Sequence, residues 1–513
     1  MLFHSYAFMF AFLPVVLIGY RWIGRYGKTA AIGWLTLSSL VFYGWWNPVY
    51  LWLILASIAG NYLFGRRLQR GPSRLVLTLG ITFNLGLLGY FKYVVFLNQI
   101  GSSLLGWPSV FEDVVLPLGI SFFTFQQVAY LIDCHRRLVV PHDFLQYALF
   151  VSFFPQLIAG PIVHQAQILP QVVDHENDLL AEDLAVGLSI FIVGLFKKVV
   201  LAETMADYAS PMFDAAATGY QVTFLEAWFG SLAYTLQIYF DFSGYSDMAI
   251  GLARLFGIHL PINFASPYKA TSIIDFWRRW HITLSTFLRD YLYYPLGGNR
   301  KGPLRRYVNL GIVMLLGGLW HGAGWTFVFW GALHGFYLMV NHGWQALCGH
   351  WGMRPVGPRW IWRILSWSLT FLAVMIAWVF FRAENFDAAI NILAGLTAQE
   401  GRLVVTISYL QFFEPLAPWL GPVGFAEKGL LYFTGREQIQ ATLLILGLAL
   451  VMPNTQEWAH RFAPAFEKVA RPRYLPDLLC WRPTRVWAVG LIAMATYALI
   501  MALQPNEFLY WQF

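Results

Sequence analysis

Long apolar stretches, each ended by a short basic or polar one, recur along the whole chain. They predict spanning helices near residues 5–21, 29–46, 49–65, 75–98, 184–203, 224–254, 308–341, 363–381, 439–452 and 484–503. A helix needs about 20 apolar residues to cross the hydrocarbon core of a bilayer, and most of these stretches approach that length. The pattern predicts an all-α polytopic membrane protein with roughly 10–12 transmembrane helices.

Basic residues alternate between the turns that join the first helices. The turns after the first and the third predicted helix are basic, whereas the residues between Trp46 and Tyr50 include no Lys or Arg. Loops rich in Lys and Arg stay on the cytoplasmic side of a membrane. We therefore expect the N-terminus and the turn at Trp46 to lie on the opposite side. The basic residues concerned are Arg21, Arg25, Lys28, Arg66, Arg67, Arg70 and Arg74.

Pro and Gly interrupt the apolar pattern at residues 117–126 and 153–162. Backbone that lacks helical hydrogen bonds is tolerated at membrane depth only where protein or a water-filled cavity surrounds it. We expect both stretches to be re-entrant or kinked segments beside a cavity. Residues 164–183 and 399–436 are more polar and predict extramembrane segments.

The composition agrees with a membrane protein and excludes other classes. Of the 513 residues, 58% are hydrophobic and only 12% are charged, whereas about a quarter of a soluble globular chain is charged. The net charge of +7 does not indicate nucleic-acid binding, because the basic residues cluster in the turns between apolar stretches. The three cysteines are far apart in the chain and show no metal-binding or redox spacing.

The stretch LLGGLWHGAGWTFVFWGALHG, residues 315–335, places His321 and His334 in an apolar, glycine-rich setting. Imidazole exchanges protons near neutral pH, and ionisable residues inside membranes usually mark a site or a pathway. Small residues on both sides of His321 allow a substrate to approach closely. We interpret His321 as a candidate general base, with a hydrogen-bonded packing histidine as the alternative. For His334 the packing role is the preferred interpretation.

The stretch FWRRWHITLSTFLRDYLYYPLGGNRK, residues 276–301, is predicted as one interfacial helix. Trp277, Trp280 and His281 would share its apolar face. Arg278 and Arg279 either attract a phosphate-bearing or acidic donor at a cytoplasmic entrance or only anchor the helix at the lipid headgroups. Ser285, on the same segment, is a further candidate for contact with the donor.

Asp241 and Asp247 interrupt the apolar stretch QIYFDFSGYSDMAIGL. A carboxylate in that setting must be paired, hydrated or neutral. Either aspartate could orient a catalytic group, or both could form interhelical hydrogen bonds.

The chain ends in the aromatic sequence NEFLYWQF. An aromatic belt at the membrane interface explains such a terminus without a catalytic role. The hydroxyl of Tyr510 could also accept an acyl group if a base lies within reach.

Two further interpretations of the histidines stay open. A metal site is disfavoured because no HExxH motif or i,i+4 histidine pair occurs. A proton-coupled transporter could use His281, His321 and Asp247 as a relay, although no inverted repeat is evident. The chain could also be a scaffold that only assembles a protein complex.

Several motifs together resemble the membrane-bound O-acyltransferase family. They are FWRRWH, LYYPLGGNR, LLGGLWHG, YFDFSGYSDMAIGL, GYFKY and WVFFRA. The resemblance implies a single domain, 1–513, built as a ring of helices around a narrow tunnel. Its parts are N-terminal helices (1–110), a catalytic core with the tunnel (111–341) and C-terminal helices (342–513). It also implies that His321 is the catalytic histidine, that His281 is the second polar residue of the site, and that Tyr510 is an acyl relay.

The function implied by this resemblance is acetyl transfer across the bacterial inner membrane. Acetyl-CoA would be the cytoplasmic donor, with no tightly bound cofactor and no metal. His321 would deprotonate an acceptor hydroxyl, and His281 would hydrogen-bond the thioester carbonyl or orient the donor. Alginate is the nearest analogy for the acetylated exopolysaccharide, with cellulose or another cell-envelope polymer as the alternative. Expected partners are membrane lipid and periplasmic acetyltransferase or esterase-like proteins, and no nucleic acid. The expected donor-binding or tunnel-lining residues are Trp277, Arg278, Arg279, Trp280, Ser285, Asp241, Asp247 and Trp320.

Overall fold

Helices make up nearly all of the regular structure. The computed structural model describes residues 1–106, 108, 111, 114–174, 181–352, 358–405, 424–425, 430–472 and 475–503. The helices of the first half are α1 (Ala7–Gly24), α2 (Lys28–Gly44), α3 (Tyr50–Arg70), α4 (Arg74–Leu105), α5 (Ile120–Arg136), α6 (Phe144–Ser152), α7 (Phe154–Leu157), α8 (Gln165–Asp174), α9 (Ala181–Ala217) and α10 (Phe224–Arg254). Those of the second half are α11 (Ile273–Trp277), α12 (Ile282–Leu288), α13 (Gly302–His321), α14 (Trp325–His350), α15 (Arg359–Arg382), α16 (Phe386–Leu396), α17 (Arg436–Val451), α18 (Thr455–Trp458) and α19 (Arg485–Met501).

The remaining elements are short. Strands β1 (Val404–Val405) and β2 (Gly424–Phe425) form one parallel pair. Single 3₁₀ turns lie at Pro267–Lys269, Gln399–Gly401, His460–Phe462 and Asp477–Leu479.

Four of the described helices, α1, α4, α9 and α15, are long and apolar enough to cross a membrane by themselves. Several of the other helices carry polar side chains that are buried inside the protein. In the 31-residue helix α10, buried residues continue without interruption from Ala233 to Arg254. An average of hydropathy along the chain underrates such a helix, because it cannot distinguish a polar side chain in lipid from one paired inside the protein.

Helix α10 forms the centre of the fold and packs closely on α9. A Cβ atom added at Gly194 would lie 2.6 Å from the carbonyl oxygen of Gly244, and one at Gly251 would lie 2.6 Å from that of Gly187. Such contacts are tolerated only by glycine, which lets two helix backbones approach each other. The pairing fixes α10 between two hydrophobic clusters. One contains Tyr245 and the first seven helices, and the other contains Phe240 and helices α14–α16.

Two predicted helices are broken in the structure, so both predictions were wrong in detail. The stretch 308–341 forms α13 and α14, because Gly322 and Gly324 adopt extended backbone angles between them. The stretch 276–301 is interrupted between Trp277 and Ile282. The predicted break near residue 117 is present, but a regular helix, α5, begins three residues later at Ile120.

Candidate active site

His321 is the last residue of α13 and lies at the break before α14. Glycines hold the two helices together there, since a Cβ atom at Gly318 would lie 2.3 Å from the carbonyl oxygen of Phe327 and one at Gly331 would lie 2.3 Å from that of Met314. The His321 side chain is 6% exposed. The glycine-rich sequence therefore serves two purposes: it ends the helix at His321 and brings the next helix against it.

His281 lies in the break between α11 and α12, with φ 42° and ψ 56°. This left-handed conformation is strained for a residue with a side chain, and such strain concentrates at functional sites. Backbone hydrogen bonds to a neighbouring segment stabilise the non-helical conformation at this break. The Ile282 N–H donates to the carbonyl oxygen of Asn263 at 3.0 Å, and the Ala265 N–H donates to that of Arg279 at 2.9 Å.

Asn263 also determines how the His281 ring is oriented. Its Oδ1 lies 3.0 Å from His281 Nδ1 and accepts from the Thr283 hydroxyl at 2.9 Å, while its Nδ2 donates to Ser246 Oγ at 3.2 Å. Because Oδ1 can only accept, this network assigns the proton of the neutral imidazole to Nδ1. His281 Nε2 then carries a lone pair, and it has no hydrogen-bond partner among the described residues.

The two imidazoles lie side by side in an aromatic enclosure. Their ring centroids are 6.3 Å apart. The rings of Trp320, Trp330 and Phe381 lie 4.9, 5.1 and 5.2 Å from that of His321. Trp320 also lies 6.1 Å from His281 and so contacts both imidazoles. These aromatic rings exclude bulk water from the space between the histidines.

Some buried polar atoms on α12, α13 and α14 have no hydrogen-bond partner among the residues that the structure describes. Within the described part of the chain, Ser285 Oγ and the indole nitrogens of Trp320 and Trp330 are buried and accept or donate no hydrogen bond. Buried polar groups are normally paired, and exceptions call for a functional reason. The indole N–H groups of Trp320 and Trp330, whose rings contact the His321 ring, are suited to donate to a polar substrate there.

A cavity of about 230 Å³ leads to His321 from one side of the protein. Its lining includes Trp46, Lys92, Pro117, Trp320 and His321. Trp46 belongs to the turn between α2 and α3, which carries no basic residue. Pro117 belongs to the first of the two broken segments that the sequence places beside a cavity.

Trp277, Trp280 and His334 lie farther from His321 in a second aromatic group. Trp277 Nε1 donates to His334 Nδ1 at 3.3 Å, and the His334 ring stacks on Phe276 with centroids 6.2 Å apart. Trp280 is buried against Phe264 at 5.0 Å. His334 is thus packed among aromatic rings, its Nε2 atom has no partner among the described residues, and its packing role stays a prediction.

The two arginines at the break have different surroundings. Arg279 pairs with Asp275 at 2.9 Å, whereas the side chain of Arg278 is exposed. Arg278 is therefore the better placed of the two to meet a ligand from solution.

Asp241 and Asp247 are paired with lysines of α9. The Asp241 carboxylate accepts from Lys198 Nζ, and Asp247 accepts from Lys197 Nζ, Thr455 Oγ1 and Gln456 Nε2, each at 2.6 Å. Both aspartates thus have the interhelical partners that one of the two sequence interpretations describes. Tyr510 lies outside the described residues.

The arrangement is suited to acyl transfer by acid–base chemistry. One imidazole, His321, borders the cavity, and the second is oriented by an amide, which is the geometry of a base supported by another group. In the described ranges, no three His, Cys, Asp or Glu side chains converge as metal ligands would.

The conserved sequence pattern of MBOAT, the membrane-bound O-acyltransferase family, matches residues 75–380. The chain belongs to the membrane-bound O-acyltransferase family. The matched range includes both histidines, Asn263 and the cavity-lining residues other than Trp46. The acyltransferase is therefore an enzyme embedded in a membrane.

Named relatives narrow the activity to O-acetyl transfer. The peptidoglycan O-acetyltransferase of Helicobacter pylori is 47% identical over 437 residues, which cover 78% of this chain and 80% of that protein. The probable alginate O-acetylase AlgI of Pseudomonas aeruginosa is 43% identical over 401 residues, or 76% of this chain and 73% of the relative. The teichoic acid D-alanyltransferase of Streptococcus thermophilus is 28% identical over 240 residues, or 44% of this chain and 57% of the relative.

Sequence reasoning missed two residues of the site, Asn263 and Lys92. Asn263 precedes His281 by 18 positions in a segment without helical periodicity, and no local pattern connects the two. Lys92 was present in the quoted motif GYFKY, and its position inside an apolar helix was a signal that could have singled it out.

Proposed function

We propose that this O-acetyltransferase moves an acetyl group from a cytoplasmic thioester, acetyl-CoA, to a hydroxyl acceptor on the periplasmic side of the bacterial inner membrane. The observation that carries the proposal is the pair of buried imidazoles at the end of a cavity that opens beside Trp46. By the distribution of basic residues, that turn lies on the side away from the cytoplasm. An acceptor can therefore reach His321 without entering the cytoplasm.

In the proposed reaction, His321 removes the proton from the acceptor hydroxyl. The hydroxyl oxygen attacks the thioester carbonyl carbon, and the tetrahedral intermediate then breaks its C–S bond. The leaving thiolate takes the proton from the His321 imidazolium, so that an oxygen ester and a free thiol are formed and the base is regenerated. A positioned base of this kind accelerates a reaction roughly 10²–10⁴-fold.

We assign His281 a supporting role that follows from its tautomer. Because Asn263 holds Nδ1–H, the neutral ring offers an Nε2 lone pair rather than a donor. The expectation that His281 donates to the thioester carbonyl requires the other tautomer. An Nε2 lone pair instead stabilises the imidazolium that forms on His321, as the third member of a triad stabilises its base.

A groove lined by basic residues supports a phosphate-bearing donor. A cavity of about 530 Å³ is lined by Lys269, Arg363 and Trp367. Two cations suit the phosphates of coenzyme A, and an indole offers a surface on which an adenine can stack. Arg278, exposed at the break beside His281, is a further candidate for the phosphates.

Tyr510 is the proposed first acceptor. Helix α19 ends at Met501, and the Tyr6 hydroxyl donates to the carbonyl oxygen of Leu499 at 2.6 Å, which fixes this end of α19 beside the N-terminal end of α1. That is the side on which the cavity opens. The nine residues from Met501 to Tyr510 can span about 30 Å when extended. Replacement of Tyr510 by Phe should stop transfer to the polymer, and unchanged transfer would leave only an anchoring role.

The final acceptor is proposed to be a cell-envelope polysaccharide, reached with the help of periplasmic acetyltransferase or esterase-like partners. Alginate and peptidoglycan are the candidates, because each polymer appears in the name of a relative that is more than 40% identical to this chain. Mass spectrometry of the exopolysaccharide and of the peptidoglycan from a deletion strain separates them. If both polymers keep their O-acetyl groups in that strain, both candidates are wrong.

The test of the catalytic proposal uses the purified protein in nanodiscs with acetyl-CoA labelled in its acetyl group. The expected result is release of free CoA and transfer of label to a hydroxyl acceptor, both abolished by His321→Ala. A transporter would move label without cleaving the thioester, and a scaffold would leave acetyl-CoA intact. Either result would overturn the proposal.

A further inference from the structure

The motif GYFKY, Gly89–Tyr93, forms a π-helical turn inside α4. Such turns are rare and frequently lie at functional sites. In a regular α-helix, neighbouring residues point about 100° apart. A π turn inserts an extra residue into the helix, which brings the side chains of Lys92 and Tyr93 closer to one face.

Both of these side chains donate to the end of the helix that carries His321. Lys92 Nζ donates to the carbonyl oxygen of Trp320 and, at 3.1 Å, to that of His321. The Tyr93 hydroxyl donates to the carbonyl oxygen of Leu319 at 2.8 Å. One turn of α4 therefore supplies hydrogen bonds to three consecutive carbonyl groups of α13.

These carbonyl groups need such partners. The last carbonyl groups of a helix have no partner within the helix, and they carry the negative end of its dipole. Continuation of α13 would have supplied the missing N–H groups, but the chain turns into extended backbone at Gly322. A cation is the favourable partner at this end of a helix. Lys92 provides it beside the cavity that reaches His321.

We propose that Lys92 and Tyr93 are positioning residues for His321. They hold the terminal carbonyl groups of α13 and so fix where the imidazole lies relative to the cavity and to His281. The proposal rests on the proposed function in one respect, that His321 is the base. A misplacement of about 1 Å in a catalytic group can lower a rate roughly 100-fold.

The first test measures kcat and KM for Lys92→Met in the purified protein, with acetyl-CoA and a hydroxyl acceptor. We expect kcat to fall roughly 100-fold while both KM values change less than about threefold. Lys92→Arg keeps a cationic donor and should recover a large part of kcat. Unchanged kcat, or a raised acceptor KM with normal kcat, would overturn the proposal, since the second result would make Lys92 a binding group.

The second test compares the two tyrosines of the same motif. Tyr93→Phe removes only the hydroxyl that reaches Leu319, and we expect kcat to fall about fivefold at an unchanged Tm. Tyr90, whose ring is 50% exposed, is the matched control, and Tyr90→Phe should leave kcat unchanged. If Lys92→Met does not fold, the comparison of the two tyrosine variants is sufficient to test the positioning role. Equal kcat for the two tyrosine variants would contradict a positioning role.

The third test separates action through His321 from direct action on the substrate. In a His321→Ala background there is no imidazole left to position. The residual thioester turnover should then change less than about twofold on adding Lys92→Met. A further large loss would mean that Lys92 acts independently, which overturns the proposal. Full activity of His321→Ala alone would instead contradict the proposed function.

Discussion

Two buried polar regions of this acyltransferase differ in how far their hydrogen bonds are satisfied. In the ion-pair interface between α9 and α10, Lys198 pairs with Asp241, and Lys197, Thr455 and Gln456 share Asp247. In the imidazole site, His281 has one partner, Asn263, and its Nε2 atom has none among the described residues. A cavity reaches the imidazole site.

This difference distinguishes a polar group kept for structure from one available for chemistry. Burial alone does not, because the side chains of Lys198 and His281 are both 0% exposed. A carboxylate paired with a buried lysine cannot contact a substrate without weakening that pair. A ring nitrogen without a described partner, beside a histidine that lines a cavity, is free to accept a hydrogen bond. The predictions below test this distinction by removing one group at a time.

The largest effect is expected from His321→Ala. Loss of the base should lower the kcat of the folded, membrane-inserted protein roughly 10²–10⁴-fold, because the imidazole supplies the proton transfer. Steady-state thioester turnover measures this. His350→Ala, an exposed histidine at the end of α14, is the control and should keep full activity. Equal turnover in the two variants would remove His321 from the reaction.

The ion-pair interface should respond in the opposite way. Lys198→Met leaves Asp241 as an unpaired buried carboxylate and should lower the free energy of unfolding by about 3–5 kcal/mol. The folded fraction should keep a normal kcat. Unfolding in detergent, followed together with activity per folded molecule, measures both quantities.

A double variant completes this test. Lys198→Met with Asp241→Leu removes both charges and should restore stability to within about 1 kcal/mol of the parent, because the desolvation cost of the pair disappears with its attraction. A loss of kcat in this stable double variant would place Asp241 in the reaction and break the contrast between the two regions.

The apolar pattern predicted the helices whose formation depends on local sequence. Helices α1 to α4 follow it closely, since each lies on one of the predicted apolar stretches. The pattern could not predict the π turns at Lys197–Ala202 and Gly89–Tyr93. These turns depend on partners far along the chain, such as Asp247 for the first and the end of α13 for the second.

The sequence singled out part of the candidate site but not its geometry. His321 and His281 were both singled out, and the structure brings their rings together. The helix predicted from Phe276 fails because the backbone of residues 263–265 takes hydrogen bonds that a continuous helix would have made. A contact between segments 18 residues apart leaves no periodic trace in the sequence, which is why Asn263 was missed.

Asn263→Ala gives the smallest and sharpest of the expected effects. Without the amide oxygen, the His281 ring loses its fixed tautomer and orientation, and kcat should fall about tenfold with little change in KM. Thr283→Val is the matched control, because its hydroxyl donates to the same Oδ1 at 2.9 Å without contacting the imidazole. It should lower the free energy of unfolding by about 1–3 kcal/mol, since it also leaves the Ile162 N–H unpaired, and keep kcat within about threefold. If both variants lose activity in parallel with stability, Asn263 belongs with the paired groups of the ion-pair interface, and only the histidines carry the chemistry.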